Sequence, residues 1–166
     1  MTTTRDYGGA SAAPGPGRVG AFLDSLAAQD FAQLGGAFAA DARLRALLPP
    51  GPFEWTGAAA IAHRFAVWFG ETEEFELVDA GADEVGGRLH LRWRLRLRAE
   101  RLGPGWFTVE QLCYGDTDED GRIAQLDLLC TGYRPERGAG AARGRARSAG
   151  AGQPERGGGE AEPGDG

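Results

Sequence analysis

The chain has 166 residues, 42% of them hydrophobic, which suits one domain with a core of its own. Its net charge of −6 argues against a general nucleic-acid binder, which carries a basic surplus. All 18 basic residues are arginine, so a Walker-type phosphate loop, a Schiff-base lysine and a kinase-type lysine are excluded.

Residues 1–17 and 136–166 are rich in Gly, Ala and Pro and carry almost nothing large and apolar. Such segments cannot bury enough surface to offset the entropy of ordering them, so a disordered leader and tail are expected around a folded domain at 18–135. No apolar run reaches 18 residues, and no basic segment followed by an apolar stretch opens the chain. A membrane span and a signal peptide are therefore not expected, and the expected setting is cytoplasmic, with Cys113 and Cys130 as reduced thiols.

In chain order, RVGAFLDSLAAQ (18–29) reads as a helix with Phe22 and Leu26 one turn apart. Asp30 is an N-cap candidate, with Gln33 three residues on. The spacing of Phe31, Leu34 and Phe38 predicts a second helix over 31–41, weakened by Gly35 and Gly36 unless these permit close packing. ARLRALL (42–48) alternates as a short strand, and PPGP breaks it. Thr56 and Gly57 lead into a third helix with Ile61, Phe65, Trp68 and Phe69 on one face. From residue 73 the pattern is β: EFELVDAGADEV, with Gly81 as a possible bulge, then strands over 88–100, 106–116 and 122–134 joined by Gly-rich turns. Helices followed by long hairpin-linked strands predict an α+β plan.

RLHLRWRLRLRAE (88–100) alternates Leu and Trp93 on one side with Arg88, His90, Arg92, Arg94, Arg96 and Arg98 on the other. With the chain acidic overall, the partners expected for these arginines are acidic and hydroxyl groups on neighbouring strands, or a second subunit. DTDEDGRIAQLD (116–127) fits the spacing of a calcium loop, but its flanks read as strands, and DEDGRI is ordinary hairpin chemistry. GPGRVG (15–20) matches a dinucleotide fingerprint only formally, since no strand precedes it. A metal site from His63, His90, Cys113 and Cys130 would need opposite faces to meet. No metal and no cofactor are expected.

Four stretches in order, FAADARL, TGAAAIAHRF, VEQLCY and DEDGRIAQLDL, make residues 19–134 resemble the nuclear transport factor 2-like superfamily, also called SnoaL-like or ketosteroid-isomerase-like. The resemblance implies a cone-shaped roll, α+β, with three N-terminal helices packed on a strongly curved antiparallel sheet. It implies a pocket on the concave face and a dimer interface on the convex one. The implied pocket residues are Phe22, Leu26, Phe38, Phe65, Trp68, Trp93, Phe107, Val109, Gln111, Leu126 and Leu128. The implied convex set is Arg92, Arg94, Arg96, Glu110, Tyr114 and Asp127.

Isomerases of this resemblance use a first-strand Asp base, a helix Tyr and a penultimate-strand acid, the last shared with cyclases. Aligned on FAADA, these fall at Ala46, Phe22 and Gln111, none of which moves a proton as a carboxylate does. Asp41 and Glu110 are the remaining catalytic candidates. The expected function is binding of a small apolar molecule, oriented by Gln111, in a homodimer that engages neither nucleic acid nor membrane. The alternatives are an isomerase, cyclase or dehydratase acting on a polycyclic or aromatic substrate, and a protein-interaction module using the arginine face. A pocket carboxylate would favour the enzyme.

Overall fold

The structure, a computed structural model, describes residues 17–137. Helix α1 is Arg18–Ala27, and its Val19, Phe22, Ser25 and Leu26 are buried. Gln29 follows in the left-handed region at φ 54°. Its side chain donates to Phe69 O (2.6 Å) and Thr72 Oγ1 (2.9 Å), which ties the end of α1 to the far end of the third helix. The Asp30 carboxylate accepts from the Gln33 N–H (3.0 Å), the cap read from the sequence.

Helix α2 is only Phe31–Gly35. Phe38 does not continue its stripe; it opens strand β1, Phe38–Leu48. Gly35 and Gly36 together stop the helix, and a Cβ on Gly35 would lie 3.2 Å from the Ala62 Cβ, so this glycine does set close helix packing. After Pro49 and Pro50 the chain turns straight back as β2, Gly51–Thr56, a strand the proline-rich sequence concealed. Helix α3 is Ala58–Phe69, with Ile61, Phe65 and Phe69 buried. Strands β3 (Glu74–Val85) and β4 (Arg88–Arg98) form a hairpin, and β5 (Phe107–Thr117), β6 (Ile123–Cys130) and the two-residue β7 (Arg134–Pro135) complete the sheet.

The strand order is β2-β1-β6-β5-β4-β3, with β7 pairing β5 beyond the end of β6. The sheet is mixed, because β1 runs parallel to β6 while every other neighbouring pair is antiparallel. Curvature enters where the register slips: at Leu77/Asp79 on β3, at Asp116/Thr117 on β5 and between Phe38 and Arg43 on β1. The β3 bulge therefore lies at Val78, not at Gly81. Gly81 instead makes room for the Arg92 guanidinium, whose Nε would lie 3.0 Å from a Cβ there. Gly115 lets β5 cross close to β6, since a Cβ would meet Gln125 O at 2.6 Å.

The helices cover the concave face. Phe22 is the centre of the core, 5.8 Å from Phe38, 5.6 Å from Phe65 and 5.4 Å from Trp93 between ring centroids. Glu136, the first residue of the expected tail, accepts from Arg96 and Thr108, and its N–H donates to Trp106 O. The remainder of the expected tail beyond 137, and the expected leader before 17, lie outside the described residues. Among the described residues, no helix is long and apolar enough to cross a membrane.

Candidate functional site

At the open end of the curved sheet is a cavity of about 510 Å³. Its walls are the β1–β2 turn (Leu48, Pro49, Pro50), the end of α3 (Trp68, Phe69), Val109 and Gln111 of β5, and the chain from Cys130 to Tyr133. Gly132 has φ 72°, and a Cβ there would come 2.6 Å from the Pro49 ring, so this rim closes only with glycine.

The most buried polar side chain of the cavity is Gln111, 4% exposed. Register places Trp93, Gln111 and Cys130 in one row across β4, β5 and β6. The indole Nε1–H donates to Gln111 Oε1 at 2.8 Å. An indole only donates, so the carboxamide oxygen must face it, and the orientation of the amide is fixed by chemistry. Gln111 Nε2 makes no hydrogen bond among the described residues, which leaves a fixed N–H₂ donor in a largely apolar cavity. Beside it Cys130 is half-buried, and its Sγ accepts from the Gly132 N–H at 3.3 Å. Cys113, one step along the same face, is fully buried, and burial pushes its thiol well above the usual range. The rim is pinned by Tyr133, whose hydroxyl donates to Trp68 O at 2.6 Å, and by Arg101, which donates to Trp68 O and Glu71 O. Burial raises the Tyr133 phenol, with Arg101 opposing it.

Of the residues expected to line a pocket, Trp68, Val109 and Gln111 do so. Phe22, Leu26, Phe38, Phe65, Trp93, Leu126 and Leu128 are buried in the continuous core, with Phe107 half-buried on the same sheet face. The cavity is thus nearer the mouth than the sequence implied, and Leu48, Pro49, Pro50, Phe69, Cys130 and Tyr133 were not expected in it. Alternation along a strand separates inside from outside, but it does not separate packed depth from open mouth.

Both catalytic candidates point away. Asp41 is exposed on β1. Glu110 is on the outer face of β5, paired with Arg94 at 2.7 Å. No carboxylate lines the cavity. Among the described residues, no three His, Cys, Asp or Glu side chains are grouped to hold a metal. In the calcium-like loop the acids have other partners: Asp116 accepts from Arg88, Asp127 from Arg45 and Arg88, and Asp118 caps the turn through Asp120 N and Arg122 N.

The outer face answers the question of the arginine strand. Arg88 meets Asp116 and Asp127, Arg92 meets Asp79, Arg94 meets Glu110, Arg96 meets Glu76 and Glu136, and Arg98 meets Glu73 and Glu74. Hydrogen bonds from Arg45 and Arg88 hold the Asp127 carboxyl below its ordinary range, and Arg96 does the same for Glu136. The His90 and Tyr114 rings lie tilted against each other, with centroids 4.9 Å apart. Beside this lattice runs an apolar groove bearing Leu47, Phe53, Leu112, Tyr114 and Leu129.

No protein-family model matches the chain, and no curated sequence is similar to it. Solved structures do match. A phenazine biosynthesis-related protein from Pseudomonas aeruginosa is 15% identical over 87% of this chain and 95% of its own, with a TM-score of 0.53. A protein of ketosteroid isomerase-like fold from Catenulispora acidiphila, solved with trimethylamine, is 19% identical over 70% and 85%, with a TM-score of 0.54. A protein assigned as a SnoaL-like polyketide cyclase from Shewanella denitrificans is 15% identical over 68% and 87%, with a TM-score of 0.53. At these identities the likeness speaks for architecture and not for chemistry. The order of helices and strands, the curved mixed sheet and these matches together give this chain the ketosteroid-isomerase-like, or nuclear transport factor 2-like, fold.

Proposed function

We propose that this chain binds a small, mostly apolar molecule carrying a carbonyl oxygen, in the cavity at the mouth of the cone, and does not perform the family's acid–base chemistry. The observation that carries this is the Gln111 amide, fixed by Trp93 through its oxygen and left with a free N–H₂ toward the cavity. An apolar site with one oriented donor selects a ligand with an acceptor, because a buried donor left dry and unpaired costs more than an apolar contact gains. The absence of any carboxylate from the cavity lining supports binding over isomerase, cyclase or dehydratase chemistry. The two free thiols fit a reducing, cytoplasmic setting.

The test is a titration with 4-phenylbutan-2-one and with butylbenzene, which has the same skeleton without the carbonyl, followed by tryptophan fluorescence from Trp68 at the cavity wall. The ketone should bind about tenfold more tightly, the worth of one buried hydrogen bond. Equal binding, or none by either compound, would reject the reading.

We propose also that the convex face pairs two copies of the chain. The lattice leaves its arginines already satisfied, and an apolar groove lies exposed beside them.

A further inference from the structure

Cys130 is the cavity residue that the binding reading does not use. It stands directly opposite Gln111 in the β5–β6 register, where facing side chains come within about 5 Å at Cβ. It is half-buried and lines the cavity, whereas Cys113 on the same face is fully enclosed. The Gly132 N–H donates to its sulfur at 3.3 Å, which holds the side chain in place at the cavity wall. A soft nucleophile therefore shares a mostly apolar cavity with an immobile N–H₂ donor that lacks a partner.

We propose that Cys130 is a covalent capture site for α,β-unsaturated carbonyl compounds, with Gln111 Nε2 as the donor to their carbonyl oxygen. The proposal rests on the cavity reading above and adds a bond to it. In the step, Sγ bonds to the alkene carbon β to the carbonyl. The π pair of that alkene moves toward the carbonyl, and the developing negative charge on oxygen is met by the Gln111 N–H. The proton lost from the thiol is returned, through solvent, to the α carbon. The product is a saturated ketone thioether containing every atom of the ligand, with no leaving group and no change of net oxidation state. The placement of donor and sulfur on neighbouring strands matches an enone, whose oxygen and electrophilic carbon lie at opposite ends of one short conjugated unit.

The probe is 4-phenylbut-3-en-2-one, the unsaturated partner of the ketone used above, followed by intact mass and peptide mapping. The wild type and Cys113→Ala should each gain one probe mass, on Cys130, at least about tenfold faster than glutathione at the same pH. Cys130→Ser should gain none. The saturated ketone should slow the reaction by competition. Gln111→Leu alone strands the Trp93 N–H, so the double variant Trp93→Phe/Gln111→Leu is the appropriate companion, because it removes both polar partners together. It should fold and react about tenfold more slowly. Binding of the saturated ketone without adduct formation overturns the covalent inference and leaves the cavity reading standing. Failure of both compounds overturns both. An adduct on Cys130 formed no faster than on glutathione, or at an unchanged rate in the folded double variant, marks an ordinary accessible thiol and overturns the proposal.

Discussion

Trp93 and Gln111 are a buried polar pair in an otherwise apolar region, and each accounts for the other. The indole could not be enclosed at this depth without an acceptor, and the carboxamide could not keep its orientation without that donor. Trp93→Phe should cost about 1–3 kcal/mol, since it removes packing and leaves the Gln111 oxygen dry. Replacing both partners should cost less than the two single changes combined. A double-mutant cycle in urea decides this: additive losses would mean that the hydrogen bond contributes nothing beyond packing. At position 111, where the resemblance implies an acid, the side chain braces the Trp93 indole through its oxygen.

Among the elements, β4 was the most legible, because strict alternation over Arg88–Arg98 admits only a strand with one wet face. The acidic neighbours of its arginines followed from the net charge and were found on β3, β5, β6 and at Glu136. The boundary between α2 and β1 was not legible. Phe31, Leu34 and Phe38 have helical spacing by coincidence, while Gly35 and Gly36 end the helix and Phe38 enters the core from a strand. Strand β2 was hidden by Pro52, which is tolerated because β2 is an edge strand with one unpaired side. The mouth of the cavity was hidden for a related reason. Residues 131–133 leave regular pairing, and period-two reasoning says nothing where the period stops. The lattice makes its own prediction through Asp127, which joins β6 to Arg45 of β1 and Arg88 of β4. Its pKa is lowered on folding, so its contribution is complete above the unfolded value of roughly 3.9 and is lost as pH falls through the lower folded value. Asp127→Asn should therefore lower the melting temperature by about 2–4 °C near neutral pH, as expected for an exposed ionic network. Melting curves of the two proteins should converge as pH drops below about 4. A gap that persists unchanged into acid would assign the loss to shape and not to charge.

For the whole molecule, the decisive contrast is between its two sheet faces. The concave face is filled by helices except at the mouth. The convex face has no cover among the described residues, yet it bears Leu47 at 53%, Leu129 at 52% and Leu112 at 37% exposure. Single exposed leucines need no explanation, but these share one groove with Phe53 and Tyr114, flanked by Arg45 and Asp127. The paired arginines matter here. A guanidinium already bonded to a carboxylate loses less on approach of a second surface than a free one, so the lattice can form a polar rim around an apolar centre. In the proposed dimer a second copy of the chain would supply the matching surface, because a two-fold axis would set leucines against leucines and the balanced charges at the edge. Such a dimer needs about 800 Å² from each partner. Sedimentation equilibrium should show a dimer at micromolar concentration. Leu129→Arg, which places an unpaired cation at the centre of the groove, should weaken it by at least about tenfold without changing the monomer's melting behaviour. A wild type that stays monomeric at tens of micromolar, or a variant that dimerises equally well, would remove the convex face from consideration as a self-association surface.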